Sequence, residues 1–381
     1  MQGRVAVAMS GGIDSSVCAA LLRRAGRDVV GVSLRLTRPG ATLAGEGGTK
    51  EGHGRTGGAE TAKLVAERLG IQFEVVGAEE AFEEKVCDYF VSSYLRGETP
   101  NPCVVCNRRV KYGVLLEAAR ERGASVLATG HYARVSFDPR NGRYVVRKGV
   151  DLSKDQSYFL HALTQDQLAA AVFPVGDMTK KDVREIAAGL GLDATVGRES
   201  QDTCFVGSGG YRGFVRERAG RVEPGPVIDA SGRVIGTHDG LPFYTIGQRR
   251  GLGVSSSEPM YVVDLDPHAN VMMVAGRSAL ERQSVLRLRD VNYVSVEEPR
   301  GGVEVQALTR YGSEEVPAIF TAGPGATGVL EFESPREITA PGQSVVLYDG
   351  DVLLAGGIAL RNAGRGGEAP RGRAVRGARE P

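Results

Sequence analysis

Apolar positions follow two rhythms along this chain. In the first half, short continuous apolar runs alternate with stretches of helical spacing. Val5 to Met9 reads as a buried strand, Val17 to Arg24 as helix, Val29 to Leu34 as strand and Thr61 to Leu69 as helix. Phe73 to Val76, the amphipathic stretch Phe82 to Tyr94, Val114 to Arg120 and Ser125 to Thr129 continue the series. This grammar predicts an α/β fold with an open, mostly parallel sheet and helices on both faces. Between Thr37 and Gly58 the pattern lapses into glycine-rich sequence with little to pack, which predicts a mobile surface loop. After about Cys204 the rhythm shortens to Val-rich runs broken by Gly, Pro and Asp, the pattern of hairpins in a small β-rich domain. A second β series from Leu286 to Ala359 predicts a compact C-terminal barrel, and the Arg- and Gly-rich end has no apolar period. The expected division is 1–204, 205–283 and 284–361, followed by a disordered tail over 362–381.

Composition changes this picture little. With 381 residues, 41% hydrophobic and 24% charged, the chain can build two or three cores without covalent or metal staples. A net charge of +1 excludes no partner, because a near-neutral total can hide a local basic patch. The five cysteines are too few and too unevenly spaced for a secreted disulfide framework, so a reducing compartment is expected. The opening MQGRVAVAMSGG has too short an apolar run for a signal peptide, and no stretch approaches the ~20 apolar residues of a membrane span. The expected location is the cytoplasm.

Two segments carry chemistry. The first is Ser10-Gly11-Gly12-Ile13-Asp14-Ser15-Ser16, between the first strand and the first helix. Its glycines allow a tight turn that points successive N–H groups at one spot, and the helix N-terminus adds positive potential, so an anion is expected there. Ser10, Ser15 and Ser16 can offer hydroxyls to phosphate oxygens, and Asp14 suits a bridging Mg²⁺. The lysine of a G-x-x-x-x-G-K-[ST] loop is missing. The turn instead resembles the PP-loop of ATP pyrophosphatases, which implies ATP cleaved between its α and β phosphates.

The second segment is Thr99-Pro100-Asn101-Pro102-Cys103-Val104-Val105-Cys106-Asn107, followed by Arg108, Arg109 and Lys111. The prolines argue for a rigid loop that presents Cys106 at the start of the next helix, where the helix dipole and nearby cations lower a thiol pKa. Cys204, within Ser200-Gln201-Asp202-Thr203-Cys204-Phe205, is the second candidate thiol. Cys18 and Cys87 lie on apolar helical faces and belong to cores. A lone CxxC also reads as half a zinc site or a redox pair.

With these segments, ATGHYAR, KDQSYFL, SQDTCF, TIGQRRGLG and TRY follow in an order that resembles the bacterial tRNA-specific 2-thiouridylases, from about residue 4 to about residue 361. The resemblance implies a PP-loop domain, a small central domain and a C-terminal β-barrel. It implies that Ala8, Met9, Ser10, Gly11, Gly12, Ile13, Asp14, Ser15 and Leu34 hold ATP, with Gly130 beside the adenylate. Asn101, Pro102 and Cys103 would line the target-base pocket. Lys154, Asp155, Gln156, His131, Arg310, Tyr311 and Gln343 would contact tRNA at the anticodon loop. Cys106 matches the nucleophile and Cys204 the persulfide carrier. The glycine-rich loop is longer than its counterpart in the family, and Cys103 stands where some members carry Asp.

The implied chemistry is ATP-dependent adenylation of the wobble-uridine O2, then sulfur transfer from a Cys204 persulfide. The sulfur would come from a donor protein such as a cysteine desulfurase, directly or by relay. A second route has Cys103, Cys106 and Cys204 ligate a [4Fe-4S] cluster. Two other classes are an amide-forming PP-loop ligase, for which no ammonia-producing segment is present, and a non-enzymatic RNA-binding protein with a decayed nucleotide site.

Overall fold

A computed structural model describes residues 3–37, 55–192, 203–207 and 209–361, excluding the side chains of residues 55–57, 281 and 282. The loop expected over 37–58 lies mostly outside these residues. Its end does not: the second helix, Arg55–Leu69, begins well before Thr61. The tail over 362–381 also lies outside them.

The first sheet has five strands in the order Gln72–Gly77, Val29–Arg35, Arg4–Ala8, Ala124–Ala128, Ala171–Val172, all paired in parallel. Arg4–Ala8 is central because its alternate residues are buried on both faces; Val5, Ala6 and Val7 are each at most 1% exposed. The chain runs outward from it to one side and then returns to its other side. The strand order therefore reverses at the crevice between Arg4–Ala8 and Ala124–Ala128, above their C-terminal ends. Ligands of open α/β sheets bind at such a switch point. The turn at Ser10–Gly12 and the segment Thr129–His131 rise from these two strands.

The central part is a four-stranded sheet, in the order Tyr261–Asp266, Val271–Ala275, Gly225–Ile228, Val234–His238. It is not built from hairpins alone. Val271–Ala275 pairs in parallel with Gly225–Ile228, and the helix Gly210–Arg218 packs beside it.

The third sheet closes on itself: Glu281–Tyr293 pairs with both Thr327–Glu337 and Val352–Ala359. A barrel of this kind buries its edges, which removes a template for unwanted pairing. One feature escaped the sequence reading. The hairpin Ala133–Asp138 with Arg143–Lys148, which directly follows the switch-point crevice, adds to the barrel through Val352↔Arg147 and Leu353↔Val146. Tyr158, Val146, Val346 and Tyr348 share one apolar cluster with Ala6, Val32 and Leu127 of the first sheet, so the barrel and the parallel sheet have a common core.

The barrel also presses a turn onto the Thr99 segment. Thr99 N donates to Pro341 O at 2.6 Å, Gln343 Nε2 donates to Thr99 O at 2.9 Å, and Arg289 Nη2 donates to Glu98 Oε1 at 3.1 Å. Gly342 makes the approach possible. It has φ +87°, and a Cβ there would stand 2.7 Å from Glu98 Cβ and 3.0 Å from Thr99 N. Gly342→Ala should therefore cost about 2–3 kcal/mol in urea-induced unfolding, from left-handed strain plus overpacking; an unchanged midpoint would mean the turn does not bear on this segment.

Candidate nucleotide and thiol site

The phosphate turn forms as its sequence dictates. Gly11 takes φ +78° and Gly12 is the extended N-cap of the first helix, Ile13–Arg24, which starts one turn earlier than its apolar spacing suggested. A Cβ at Gly11 would sit 2.3 Å from Gly58 O, so only glycine fits beneath the second helix. Gly130 is equally constrained from the other side: a Cβ there would stand 2.9 Å from both Asp14 Cβ and Ser15 N. The crevice wall and the helix start are in direct backbone contact.

The serines divide their tasks differently from the expectation. Ser15 Oγ accepts from Ser10 N at 3.2 Å and donates to Gly12 O at 3.0 Å, and Ser16 Oγ donates to the same carbonyl at 2.9 Å. A hydroxyl has one proton, so these two buried serines lock the turn, and Ser10, which is exposed, has its Oγ 3.4 Å from Ser15 Oγ. The first-turn N–H groups supply the rest of an anion site. Ala8 and Leu34 pack at the edge of the sheet core, and Met9 is buried in it; a Cβ on Gly31 would lie 2.6 Å from Met9 Sδ.

Asp14 is engaged. Its Oδ1 accepts from Tyr132 OH and from Lys180 Nζ, each at 2.7 Å. With Oδ1 so occupied, Asp14 fits Mg²⁺ as a single ligand to an ion carried on phosphates rather than as part of a protein cage. Among the described residues no group of three or more His, Cys, Asp or Glu side chains is arranged to hold a metal ion. Cys103, Cys106 and Cys204 are all described, so as arranged they do not fit a cluster.

The thiol segment departs from its expected geometry. The helix begins at Pro102, not at Cys106, because proline at the first helical position loses no needed N–H and is pre-set in φ. Asn101 is the extended N-cap, Cys103 lies in the first turn, and Cys106 opens a π-wound stretch, Cys106–Leu115. Such wide turns are rare and concentrate at functional sites.

Cys204 returns to this turn through its neighbour. Phe205 is 2% exposed, with its ring centroid 5.5 Å from Phe82, 5.2 Å from Phe90 and 4.9 Å from Phe214. Cys106 packs against this same cluster, while Cys103 and Cys204 are exposed. Desolvation raises the Cys103 thiol, the nearby Cys204 raises it further, and Lys111 opposes both. Lys111 also acts on His131, whose ring is held well below its ordinary pKa first by burial and then by that cation. His131 is 8% exposed and its Nδ1 lies 2.7 Å from Thr129 Oγ1, which leaves it little surface for direct RNA contact.

The remaining expected tRNA contacts fall into two groups. Asp155 and Gln156 turn inward: Asp155 carboxylate oxygens accept from Gly149 N and Ser157 Oγ, and Gln156 Oε1 accepts from Tyr132 N. Gln343 is spent on Thr99 O. Arg310 and Tyr311 are exposed, with the Tyr311 ring 4.5 Å from Phe159 and its hydroxyl 3.3 Å from Asp155 O; Lys154 is half-buried. Asn101 lies near the Tyr158 hydroxyl, which donates to Ser344 O at 2.7 Å.

Sequence reasoning missed Lys180, Tyr132 and two buried groups behind the thiol helix. Asn107 donates to Phe159 O at 3.0 Å but leaves its Oδ1 unmatched, and neither nitrogen of the buried His161 has a well-formed hydrogen bond.

Replacing Phe205 by Ala should cost about 3–4 kcal/mol of stability and slow disulfide formation between Cys106 and Cys204 under mild oxidation, followed by non-reducing peptide mapping. An unchanged rate would separate Cys204 from its aromatic anchor. For His161, burial and then Arg108 depress the pKa to about 4. The unfolded chain, titrating near ~6.5, then binds a proton that the folded one refuses, so stability falls as pH drops from about 6.5 toward 4, by up to about 3 kcal/mol. His161→Gln should flatten that part of the pH–stability curve relative to the parent.

Family models match along the chain: a tRNA methyl transferase HUP domain over residues 3–208, a tRNA methyl transferase PRC-barrel domain over 212–276, and an aminomethyltransferase β-barrel domain over 283–359. The tRNA-specific 2-thiouridylase MnmA of Moorella thermoacetica is 48% identical over 92% of this chain and 98% of its own length. Those of Pelotomaculum thermopropionicum and Desulforamulus reducens are 44% and 45% identical, over 93% and 94% of this chain and 96% and 97% of theirs. With a turn shaped for phosphates, two thiol segments brought to one aromatic cluster and relatives of this identity along nearly the whole length, the chain belongs to the tRNA-specific 2-thiouridylase family.

Proposed function

We propose that this protein is a tRNA-uridine 2-sulfurtransferase that adenylates O2 of the wobble uridine with ATP and replaces that oxygen with sulfur, giving 2-thiouridine, AMP and pyrophosphate. The observation that carries the reading is the anchoring of Cys204, through Phe205, in the cluster against which Cys106 packs. The crevice above the first sheet would take the nucleotide, with backbone N–H groups of the Ser10–Ser15 turn, Gly130 and the exposed Ser10 hydroxyl around its phosphates. Asp14 would help to hold a Mg²⁺ ion there, which would supply charge neutralisation. Adenylation makes O2 a leaving group. The terminal sulfur of a Cys204 persulfide then attacks C2 and AMP departs. The Cys106 thiolate attacks the Cys204 sulfur, which releases the transferred sulfur and leaves a Cys106–Cys204 disulfide for a thiol reductant to open.

The target base would enter beside Asn101, Pro102 and Cys103, more readily from an anticodon loop than from a duplex. Arg310 and Tyr311 offer a cation and a stacking face at the surface, and Arg109, Arg249 and Arg250 are exposed for phosphate contact. The sulfur donor is a separate protein of the cysteine desulfurase type or its relay. Soluble placement in the cytoplasm suits this partner set; among the described residues no helix is long and apolar enough to cross a membrane. Two of the matched family descriptions say methyl transferase, but a methyl transfer has no use for a sulfur carrier, and the paired thiol segments favour thiolation.

Expressed in cells lacking their own 2-thiouridylase, the protein should restore 2-thiouridine derivatives in tRNA hydrolysates read by mass spectrometry. Cys106→Ser and Cys204→Ser should each leave them at background. Full restoration by Cys204→Ser would remove the proposed carrier, and no restoration by the parent protein would remove the function.

A further inference from the structure

The phosphate turn has no lysine of its own, yet a buried lysine reaches it from far along the chain. Lys180 opens the helix Lys180–Gly189 and is 5% exposed. Its Nζ lies 2.7 Å from Asp14 Oδ1 and 5.6 Å from the centre of the Tyr132 ring, whose hydroxyl donates to the same oxygen.

The backbone that carries Lys180 is fixed with unusual thoroughness. Thr179 forms a capping box with Asp182, and the Lys180 N–H donates to Asp151 Oδ2 at 2.9 Å. An ammonium held by two elements at the mouth of an anion-binding turn does more there than neutralise one carboxylate. A carboxylate alone would repel the phosphates that the turn is shaped to receive; the ammonium on it reverses that sign. Asp14 and Tyr132 then serve to aim the cation.

We propose that Lys180 is the phosphate-binding cation of the nucleotide site, taking the part that a lysine within the turn plays in other phosphate loops. This rests on reading the crevice as an ATP site. A lysine brought in by another helix also ties nucleotide binding to that helix, which packs on the first helix and precedes the Cys204 segment in the chain.

The test measures binding, not turnover. The ligand is α,β-methylene-ATP, which cannot be cleaved between its α and β phosphates, titrated calorimetrically with and without Mg²⁺. Removing Lys180 alone strands the Asp14 charge and can unfold the protein, so the informative comparison is Asp14→Asn, whose amide oxygen can still accept from the buried ammonium, against Asp14→Asn/Lys180→Met, each first checked for a native unfolding transition. The double variant is expected to bind about tenfold or more weakly than the single one, the loss typical of a charge-assisted contact. Adding Lys180→Arg to Asp14→Asn should recover part of the loss.

Equal affinities in the single and double variants would confine Lys180 to pairing with Asp14 and overturn the proposal. Failure of the unmutated protein to bind the analogue would overturn the reading of the crevice itself, which is a different result.

Discussion

The placement of one phenyl ring governs the chemistry this fold can do. Phe205 buries its side chain among Phe82, Phe90 and Phe214, edge-on to each, and so holds the neighbouring Cys204 beside a turn some hundred residues earlier in the chain. Those contacts are dispersion and quadrupole interactions, worth about 0.5–1.5 kcal/mol per pair beyond burial. They act on an apolar neighbour, which leaves the thiol itself exposed and available. A sulfur carrier, the role proposed for Cys204, must be anchored firmly enough to return to one place and loosely enough to meet a donor. Anchoring the residue after the cysteine meets both demands.

The barrel's part is mechanical before it is chemical. It reaches the Thr99 segment through Pro341 and Gln343, and reaches Tyr158 through Ser344. The approach to the thiol helix is thereby set by a domain that contributes none of the cysteines. The hairpin Ala133–Lys148 extends the same logic, because a segment that leaves the nucleotide crevice continues directly as strands of the barrel sheet.

Much of this could be read in the sequence where the determinants are local. The phosphate turn, the strands beside it and the barrel all follow from glycine placement and apolar rhythm within short windows. The hairpin at Ala133 is equally local, since RVSFDPRNGRYVVRK alternates and carries Asn141-Gly142 at its turn. The start of the thiol helix is ambiguous in sequence, because Pro102 can break a helix or open its first turn, and the fold selects the second. Lys180 could not be found this way. It meets Asp14 across 166 positions, and nothing in KKDVREIAAG distinguishes its first lysine from a solvated one. The inward use of Asp155, Gln156 and Gln343 is hidden for the same reason: each partner is set by the fold, and a polar residue in a motif looks alike whether it faces RNA or a backbone carbonyl.

The third cysteine fits this arrangement outside the proposed Cys106–Cys204 pair. Cys103 stands one helical turn before Cys106 and is raised in pKa by desolvation and by Cys204, against Lys111. A thiol kept protonated is a poor nucleophile toward an activated base or a persulfide, because attack requires the thiolate. In the proposed base pocket Cys103 would therefore serve as a small polarisable surface and hydrogen-bond donor while the charge of the reaction stays on its neighbours.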